Sequence, residues 1–442
     1  MTATVWLIII RNVDELQSML PRAQMAYLTQ VLREFPIVAL IGARQTGKTT
    51  LVRARQIGKN RAYRTLDEYD TLDIAKRDPA AFLQGARDIT VDEVQRAPEL
   101  FSAMKVEVDR DRRPGRFLCT GSANLLLMKQ ISESLAGRAV YLSIPPMTWA
   151  EIEGVKLAEV LGDALSARKP EELLRVITRA PKARLSLADA VARGGYPVPC
   201  LSDDPSFRAR WYDGYVATYL ERDLRLLAAI DDLIGFRRLM QAAALRNGSP
   251  LNIAQLAQDS GIPPTTARRY ISLLEISFQV WQLPAFTINR GKRLAKAPKL
   301  LWLDSGLAAH IAGFQDAQIL ASGRSWGFWL ESWVGHHLKT WASMKAPRPE
   351  LSYWRTSDGR EIDYVVESGQ TLLPIEVKAG SRPTGADIRG LETFLDLYPK
   401  AHLGLLVCTC KEPIAISGRV VAIPIQDFLL CGSPNHRARA GK

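Results

Sequence analysis

The stretch Pro36-Ile-Val-Ala-Leu-Ile-Gly-Ala-Arg-Gln-Thr-Gly-Lys-Thr-Thr50 decides the fold of this chain. Its first part, residues 36–41, is a short apolar run of the kind that forms a strand buried on both faces of a parallel sheet. The rest matches the pattern G-x-x-x-x-G-K-[ST], in which glycines let backbone N–H groups curl around phosphates. The helix that follows directs its positive N-terminal end at the same anion. The sequence therefore predicts a P-loop NTPase domain with a parallel sheet.

The loop also predicts the ligands of ATP and Mg²⁺. Lys48 is expected to reach the β and γ phosphates, and Thr49 is expected to ligate Mg²⁺. A chance glycine turn is the alternative, which the preceding strand and the following helix disfavour. The nucleotide-binding residues predicted in the loop are Gly42, Ala43, Arg44, Gln45, Thr46, Gly47, Lys48, Thr49 and Thr50.

A carboxylate pair follows the next apolar strand, Ile89-Thr-Val91, as Asp92-Glu93. An α/β sheet places its ligand-binding groups at the carboxyl ends of its strands. We expect Asp92 to hold Mg²⁺ and Glu93 to polarise the attacking water. A solvated acidic pair after an edge strand is the alternative.

Two further positions are candidates for sensing the nucleotide. A third strand, residues 116–119, leads into Thr120-Gly-Ser-Ala-Asn124, so Ser122 or Asn124 could contact the γ-phosphate. Arg138 could neutralise charge on the chain's own nucleotide or on that of a neighbouring subunit. A plain surface arginine is equally consistent with the sequence.

Composition limits the class of protein and of partner. With 442 residues the chain should fold as several domains. Its 58 basic and 46 acidic residues give a net charge of +12, which favours an anionic partner such as DNA, although solvated basic faces are the alternative. Five scattered cysteines indicate reduced thiols in the cytoplasm. The apolar run at residues 5–10 is shorter than the about 20 residues that a membrane-spanning helix needs.

The middle of the chain predicts a winged helix. Residues 252–261 form a short helix ending in glycine, residues 263–275 form a second helix, and residues 279–283 and 300–303 are two strands. The connection between these strands carries basic residues and no acid, as a wing that grips phosphates would. A winged helix that only packs between protein domains is the alternative. The predicted nucleic-acid contacts are Arg268 and Arg269 on the second helix and Arg290, Lys292 and Arg293 in the connection, which also holds Lys296 and Lys299.

The C-terminal part predicts a pocket of carboxylates. Residues 326–334 form an aromatic helix, residues 357–359 form a hairpin turn, and the strand Pro374-Ile-Glu376-Val-Lys378 alternates apolar and charged positions. Glu376 and Lys378 should share one face with Asp363 of the neighbouring strand and Glu331 of the helix. Two carboxylates, Asp363 and Glu376, can hold a second Mg²⁺ or Mn²⁺, and a lysine can position water for attack on a phosphodiester. An amphipathic strand pair with solvated charges is the alternative.

The C-terminal pattern resembles the PD-(D/E)XK nuclease superfamily, with Asp363, Glu376 and Lys378 as the motif and Glu331 as its helical glutamate. The whole chain resembles prokaryotic AAA-type ATPases fused to a C-terminal domain of unknown function called DUF4143. The motifs that carry this second resemblance are the P-loop, Val91-Asp-Glu-Val-Gln95, Thr120-Gly-Ser122, Leu135-Ala-Gly-Arg138, Gly194-Gly-Tyr-Pro197 and Ile375-Glu-Val-Lys378. The family usually lacks an extension before Met19, which leaves the true start of the chain open.

The resulting fold class is a multidomain α/β protein. We expect an extension at 1–18, an AAA-type P-loop ATPase core at 19–150, a helical lid at 151–235, a winged helix at 236–315, a nuclease-like DUF4143 domain at 320–430 and a basic tail at 431–442. The lysine, glutamate and arginine expected to take part in ATP hydrolysis are Lys48, Glu93 and Arg138.

Two functions remain open at this point. In the first, nucleotide state controls a winged-helix and nuclease-like half that faces DNA. In the second, the chain is a nucleotide-dependent switch or scaffold that binds protein and cleaves nothing. Self-association into a homo-oligomer is compatible with both.

Overall fold

The computed structural model describes residues 22–121, 135–218, 230, 232–293, 295–314 and 316–430. The predicted extension, the basic tail, Ser122, Asn124 and the side chain of Lys292 lie outside this part. Helices and strands are numbered below in chain order over the described residues.

A five-stranded parallel sheet forms the N-terminal domain, in the strand order β2-β3-β4-β1-β5. All five carboxyl ends therefore meet at one edge. The strand β1 runs straight into the P-loop, and every residue of β1 is buried, as its apolar sequence predicted. The strands are β1 Ile37–Ile41, β2 Ala62–Thr65, β3 Ile89–Asp92, β4 Phe117–Thr120 and β5 Ala139–Ser143.

Helices cover both faces of this sheet. On one face, Leu28 of α1 and Leu51 of α2 pack against alternate residues of β1. On the other, Leu100 and Met104 of α6 pack against the remaining strand residues. The helices are α1 Gln24–Val31, α2 Lys48–Arg53, α3 Arg55–Gly58, α4 Tyr69–Arg77, α5 Pro79–Phe82 and α6 Glu99–Arg110.

The segment predicted as a helical lid consists of short helices. Its corner at Gly194 and Gly195 needs glycine twice: Gly194 has φ +66°, and a Cβ on Gly195 would collide with the carbonyl of Met147. The helices are α7 Trp149–Ile152, α8 Val160–Ser166, α9 Pro170–Val176, α10 Leu187–Arg193, α11 Pro197–Cys200 and α12 Pro205–Tyr215.

A helix-turn-helix and a two-stranded antiparallel sheet follow. The side chain of Asn252 caps α14 by accepting a hydrogen bond from the Gln255 amide, and Gly261 ends this helix with φ +68°. The elements are α13 Leu233–Leu245, α14 Ile253–Ser260, α15 Pro264–Ile276, β6 Val280–Leu283, α16 Arg290–Arg293, β7 Lys299–Trp302, α17 Ser305–Ile311 and α18 Ala317–Ser322.

The C-terminal part holds a mixed six-stranded sheet in the order β12-β13-β11-β10-β9-β8. Its strands β8, β9 and β10 are antiparallel neighbours, whereas β10, β11 and β13 run parallel. The elements are α19 Trp326–Ser343, β8 Glu350–Arg355, β9 Glu361–Ser368, β10 Thr371–Val377, α20 Arg389–Leu397, β11 Gly404–Cys408, β12 Ile414–Ala415, β13 Val420–Pro424 and α21 Ile425–Leu430.

One hydrophobic core joins the lid helices, the helix-turn-helix and the C-terminal sheet. For example, the indole rings of Trp149 in α7 and Trp333 in α19 lie with their centroids 5.3 Å apart. The predicted boundaries at residues 235 and 320 therefore do not separate independent cores.

Candidate functional site

The P-loop has the backbone that phosphate binding requires. Gly42 has φ +149°, and a Cβ there would lie 2.5 Å from the carbonyl oxygen of Ile144. Gln45 and Gly47 are left-handed, with φ of 63° and 86°, and Gly47 is the N-cap of α2. Successive residues of alternating handedness turn their N–H groups toward one point and form an anion-binding nest at the helix N-terminus.

Lys48 lies beneath this nest, where it was predicted to meet the phosphates. Its Nζ donates to the carbonyl oxygens of Gly42, at 3.1 Å, and Ala43, at 2.7 Å. Burial lowers the pKa of Lys48 to about 8, although Glu93 and Asp92 act in the opposite direction. A bound phosphate would favour the charged form of this ammonium group.

Asp92 and Thr49, the two predicted Mg²⁺ ligands, lie next to each other. The Thr49 hydroxyl donates to the Asp92 carboxylate, with Oγ1 3.1 Å from Oδ1 and 3.0 Å from Oδ2. Thr120 donates to Oδ1 from the end of β4. A hydroxyl and a carboxylate at one sheet edge are the oxygen donors that Mg²⁺ prefers, so these residues fit the ion.

Tyr63 is a further neighbour of Asp92 that the sequence did not reveal. It lies on β2 and donates its phenolic O–H to Asp92 Oδ2 over 2.7 Å. Burial, followed by this hydrogen bond, raises the pKa of Tyr63, so the phenol remains a donor at neutral pH. The short segment around β2 carries no motif, and only the strand order places it beside β3.

Glu93 has a left-handed backbone, with φ 56°, directly after β3. Its N–H donates to Thr120 Oγ1 over 3.2 Å, and its carboxylate accepts from Gln95. A non-glycine residue in this region of φ/ψ costs about 1–3 kcal/mol and is typical of functional sites. The conformation holds Glu93 at the same edge as the P-loop, and its role as a base for the attacking water stays a prediction.

Arg22 is a second residue that sequence reasoning missed. Its guanidinium binds three partners: Nε donates to Glu151 Oε1 at 2.9 Å, Nη1 to the P-loop carbonyl of Thr46 at 2.6 Å, and Nη2 to the carbonyl of Pro145 at 2.8 Å. Arg22 and Glu151 expose only 9% and 3% of their side chains, so the pair is protected from screening. A lone arginine before a helix gives no signal in the sequence.

Arg138 lies away from this site. It directly precedes β5, whose residue Ala139 is aligned with Ile37 at the start of β1, so Arg138 is at the amino edge of the sheet. Its Nε pairs with Asp109 Oδ1 at 2.6 Å. The prediction that Arg138 serves the chain's own nucleotide is wrong, because a parallel sheet separates its two edges by the length of the strands. A role toward a neighbouring subunit stays a prediction.

The predicted C-terminal cluster does converge. Glu376 on β10 lies beside Asp363 on β9, because Ile375 is aligned with Tyr364 in the antiparallel pair. Asp363 Oδ2 accepts from the Val377 amide at 2.8 Å, and Lys378 Nζ donates to Glu376 Oε1 at 2.5 Å. Burial raises the pKa of Glu376, and the charge of Asp363 adds to this effect.

Lys299 forms a second set of ion pairs around Asp363. Its Nζ lies 2.6 Å from Glu331 Oε1, 2.5 Å from Glu361 Oε1 and 3.7 Å from Asp363 Oδ1. Burial alone would lower the pKa of Lys299, but these carboxylates outweigh it and the pKa is raised. In the described ranges, no group of three histidine, cysteine or acidic side chains could hold a metal ion. The second metal site predicted at Asp363 and Glu376 stays a prediction, beside the buried ion network that Lys299 forms with Glu331, Glu361 and Asp363.

The predicted basic wing is also engaged with the C-terminal sheet. Arg293 pairs with Glu350 at 2.9 Å and Glu367 at 2.8 Å, and its guanidinium carbon lies 4.9 Å from the ring centre of Phe286. Arg290 reaches the same two glutamates at 3.7 and 3.3 Å. Contact of Arg290, Lys292 and Arg293 with nucleic acid stays a prediction. The sequence did not reveal the ion pairs of the two arginines, because the glutamates are distant along the chain. Arg268 and Arg269 are exposed on α15.

The fold and the carboxyl edge of its parallel sheet define a P-loop NTPase. Residues 34–153 match the model of the AAA domain, and residues 326–428 match the domain of unknown function DUF4143. Residues 184–318 match another domain of unknown function, DUF8612, which crosses the boundary predicted at residue 235.

Two curated relatives establish the family. The chain is 34% identical over 410 residues to the uncharacterized proteins Rv2008c of Mycobacterium tuberculosis and Mb2031c of Mycobacterium bovis, and the alignment covers 92% of this chain and 84% of each relative. The chain therefore belongs to the family of AAA-type P-loop ATPases with a C-terminal DUF4143 domain, as predicted. Membership implies binding of a nucleotide with Mg²⁺ at the P-loop.

Solved structures give weaker likenesses. A Walker-type ATPase of Pyrococcus abyssi is 14% identical, with a TM-score of 0.41, over 65% of this chain and 94% of that one. The RuvB Holliday junction branch migration motor of Thermotoga maritima is 18% identical, with a TM-score of 0.25, over the same shares. These values support no statement about activity or partners. Across the described residues, no helix is both long and apolar enough to cross a membrane.

Proposed function

We propose that this protein is an ATP-hydrolysing switch whose nucleotide state controls its C-terminal half, and that the C-terminal half binds a partner without cleaving nucleic acid. One observation carries the proposal: polar contacts run from the P-loop to the C-terminal domain. Arg22 joins the Thr46 carbonyl to Glu151 in α7, and the amide of Trp149, also in α7, donates to His337 Nε2 in α19 over 2.8 Å.

The proposed chemistry assigns one task to each residue at the sheet edge. The loop amides and Lys48 bind the phosphates, Thr49 and Asp92 hold Mg²⁺, and Glu93 takes a proton from the attacking water. Mg²⁺, when bound, neutralises charge on the phosphates. Rearrangement of the loop on phosphate release would change the position of the Thr46 carbonyl and so the Arg22 contact.

The first experiment measures ATP hydrolysis by the full chain. Lys48→Ala and Glu93→Gln should each lower kcat/KM at least a hundredfold, whereas Arg33→Gln, an exposed change between α1 and β1, should have no effect. Equal hydrolysis by wild type and Lys48→Ala would exclude this site as the source of activity.

The coupling is tested separately by hydrogen exchange. Peptides covering α7 and α19 should exchange differently with ADP and with a non-hydrolysable ATP analogue, and Arg22→Gln should reduce that difference while Arg33→Gln should not. A nucleotide-dependent difference that persists in Arg22→Gln would show that this route is not used.

DNA binding is the second candidate, favoured by the exposed Arg268 and Arg269 on the second helix of the helix-turn-helix. The double variant Arg268→Ala with Arg269→Ala should bind every DNA sequence more weakly. The slope of log K against log salt concentration should also become shallower, by the amount expected for the loss of about two phosphate contacts. The same assay, run with Mn²⁺ and Mg²⁺ on linear, single-stranded and branched DNA and on RNA, should give no cleavage. Cleavage that disappears in Asp363→Ala would restore the nuclease hypothesis.

A further inference from the structure

The carboxylate of Asp92 is held by hydroxyl groups from both strands that flank β3. Thr120, the last residue of β4, donates to Oδ1, and Tyr63 of β2 donates to Oδ2 over 2.7 Å. Asp92 itself is buried. Because each oxygen is held from a different side, the carboxylate cannot turn about its Cβ–Cγ bond without breaking one of these two hydrogen bonds.

The register of β2 explains why this contact needs a tyrosine. Thr65 is aligned with Asp92, whereas Tyr63 is aligned with Thr90, two residues earlier. Tyr63 therefore shares a face of the sheet with Thr65, and its side chain must reach forward by about 6.6 Å along the strand. The phenol spans this gap, but the side chain of a serine or threonine at position 63 would be too short.

The helix that follows the P-loop holds the ring of Tyr63. Thr49 and Arg53 lie four residues apart on α2, so they are neighbours on one face of this helix. Thr49 donates to Asp92, and the guanidinium carbon of Arg53 lies 5.1 Å from the centre of the Tyr63 ring. A cation over the face of an aromatic ring is attracted to it. The helix that carries the predicted Mg²⁺ ligand Thr49 therefore also orients the phenol.

We propose that Tyr63 is a positioning residue of the Mg²⁺ site, which keeps Asp92 turned toward Thr49 and so raises the affinity for nucleotide with Mg²⁺. This inference rests on the proposed roles of Thr49 and Asp92 as the residues that hold the ion. Removal of a group that hydrogen-bonds to a metal ligand typically lowers metal affinity by about 10–100-fold. Because Thr120 still holds the other oxygen, loss of the Tyr63 hydroxyl should have an effect at the lower end of this range.

The test measures binding of the fluorescent nucleotide mant-ADP to the full chain, once with Mg²⁺ and once with EDTA. The dissociation constant in EDTA divided by that in Mg²⁺ gives the contribution of the ion. Tyr63→Phe should lower this ratio about tenfold through weaker binding in Mg²⁺. Affinity in EDTA should stay at the wild-type value, because phenylalanine keeps the ring and its contact with Arg53. A general packing defect would instead weaken binding under both conditions.

Tyr69→Phe is the matched control. Tyr69 begins α4 and is 81% exposed, so this change removes a phenolic hydroxyl from the surface. It should leave both dissociation constants unchanged. Asp92→Asn should remove most of the Mg²⁺ contribution. In the Asp92→Asn background, Tyr63→Phe should have no further effect, because Tyr63 acts through Asp92.

Two kinds of result would overturn the role of Tyr63, and they are distinguishable. The positioning role alone fails if Tyr63→Phe keeps the wild-type ratio while Asp92→Asn loses it, or if the effects of the two substitutions add. If wild type binds mant-ADP equally well with Mg²⁺ and with EDTA, the assignment of Thr49 and Asp92 to the ion fails together with it.

Discussion

Replacement of Lys299 by methionine tests the buried ion network beside the predicted metal site. Lys299 exposes 2% of its side chain and pairs with Glu331, Glu361 and Asp363. Methionine has nearly the same length and keeps the apolar packing, so the loss is one of charge. Removing one partner of a buried ion pair costs about 3–5 kcal/mol because the other charge remains buried. Glu331 loses its ion pair, whereas Glu361 keeps Arg355 at 3.7 Å and Asp363 keeps the Val377 amide at 2.8 Å, so we expect a value in the lower part of this range.

The pH dependence distinguishes lost charge from lost packing. Burial, and then the charge of Asp363, raise the pKa of Glu331, while Lys299 lowers it. Without Lys299 the pKa of Glu331 rises further, so the cost of the substitution should shrink as the pH falls from 8 to 5. A packing defect would cost the same at both values.

The assay is urea unfolding combined with hydrogen exchange of peptides covering β7, β9 and α19. Lys296→Met, an exposed change in the same connection, is the control and should shift the transition by less than about 0.5 kcal/mol. Adding Glu331→Gln to Lys299→Met should recover part of the loss. The explanation would be refuted if Lys299→Met lowered the unfolding free energy by less than about 1 kcal/mol at pH 8, or by an amount that does not change with pH.

Three further predictions concern other parts of the molecule. His337→Gln should remove a pH dependence of the unfolding free energy. Burial, and then the charge of His336, lower the pKa of His337 to about 3 in the folded protein. Neutral His337 therefore stabilises the fold above pH 6.5, and this stabilisation is lost as the pH falls toward 3. The unfolding free energy of wild type relative to this variant should fall by about 2 kcal/mol between pH 7.5 and 5, measured by urea titration. Gly195→Ala should destabilise the lid corner by about 3 kcal/mol or more because its Cβ meets backbone, whereas Gly154→Ala, with open space but a left-handed φ, should cost about 1 kcal/mol in the same assay. Arg138→Ala should leave ATP hydrolysis by the monomer within twofold of wild type, and a hundredfold loss confined to oligomers would instead assign it to a neighbour's site.

The sequence predicted the nucleotide site because its determinants are local. Gly42 and Gly47 must adopt positive φ, Lys48 must follow them at a set spacing, and Asp92 must end an apolar strand. Each requirement restricts the residue types within a short stretch of sequence, so each can be recognised there. The same holds for α14, which Asn252 and Gly261 delimit by capping, and for the start of α15, which has Pro264 at its first position.

The contacts that join these parts were decided by the tertiary structure alone. Arg22 meets Thr46 and Glu151, Tyr63 meets Asp92, and Lys299 meets Glu331 across long separations in the chain. A single charged residue belongs to no periodic pattern or motif, so the sequence does not indicate its partner. The C-terminal carboxylates were expected to converge, and they do, but the ion pairs of Lys299 with Glu331, Glu361 and Asp363 depend on how β7 packs against α19 and β9. That packing is set by the shared hydrophobic core, whose non-directional forces leave no pairing signal in the sequence.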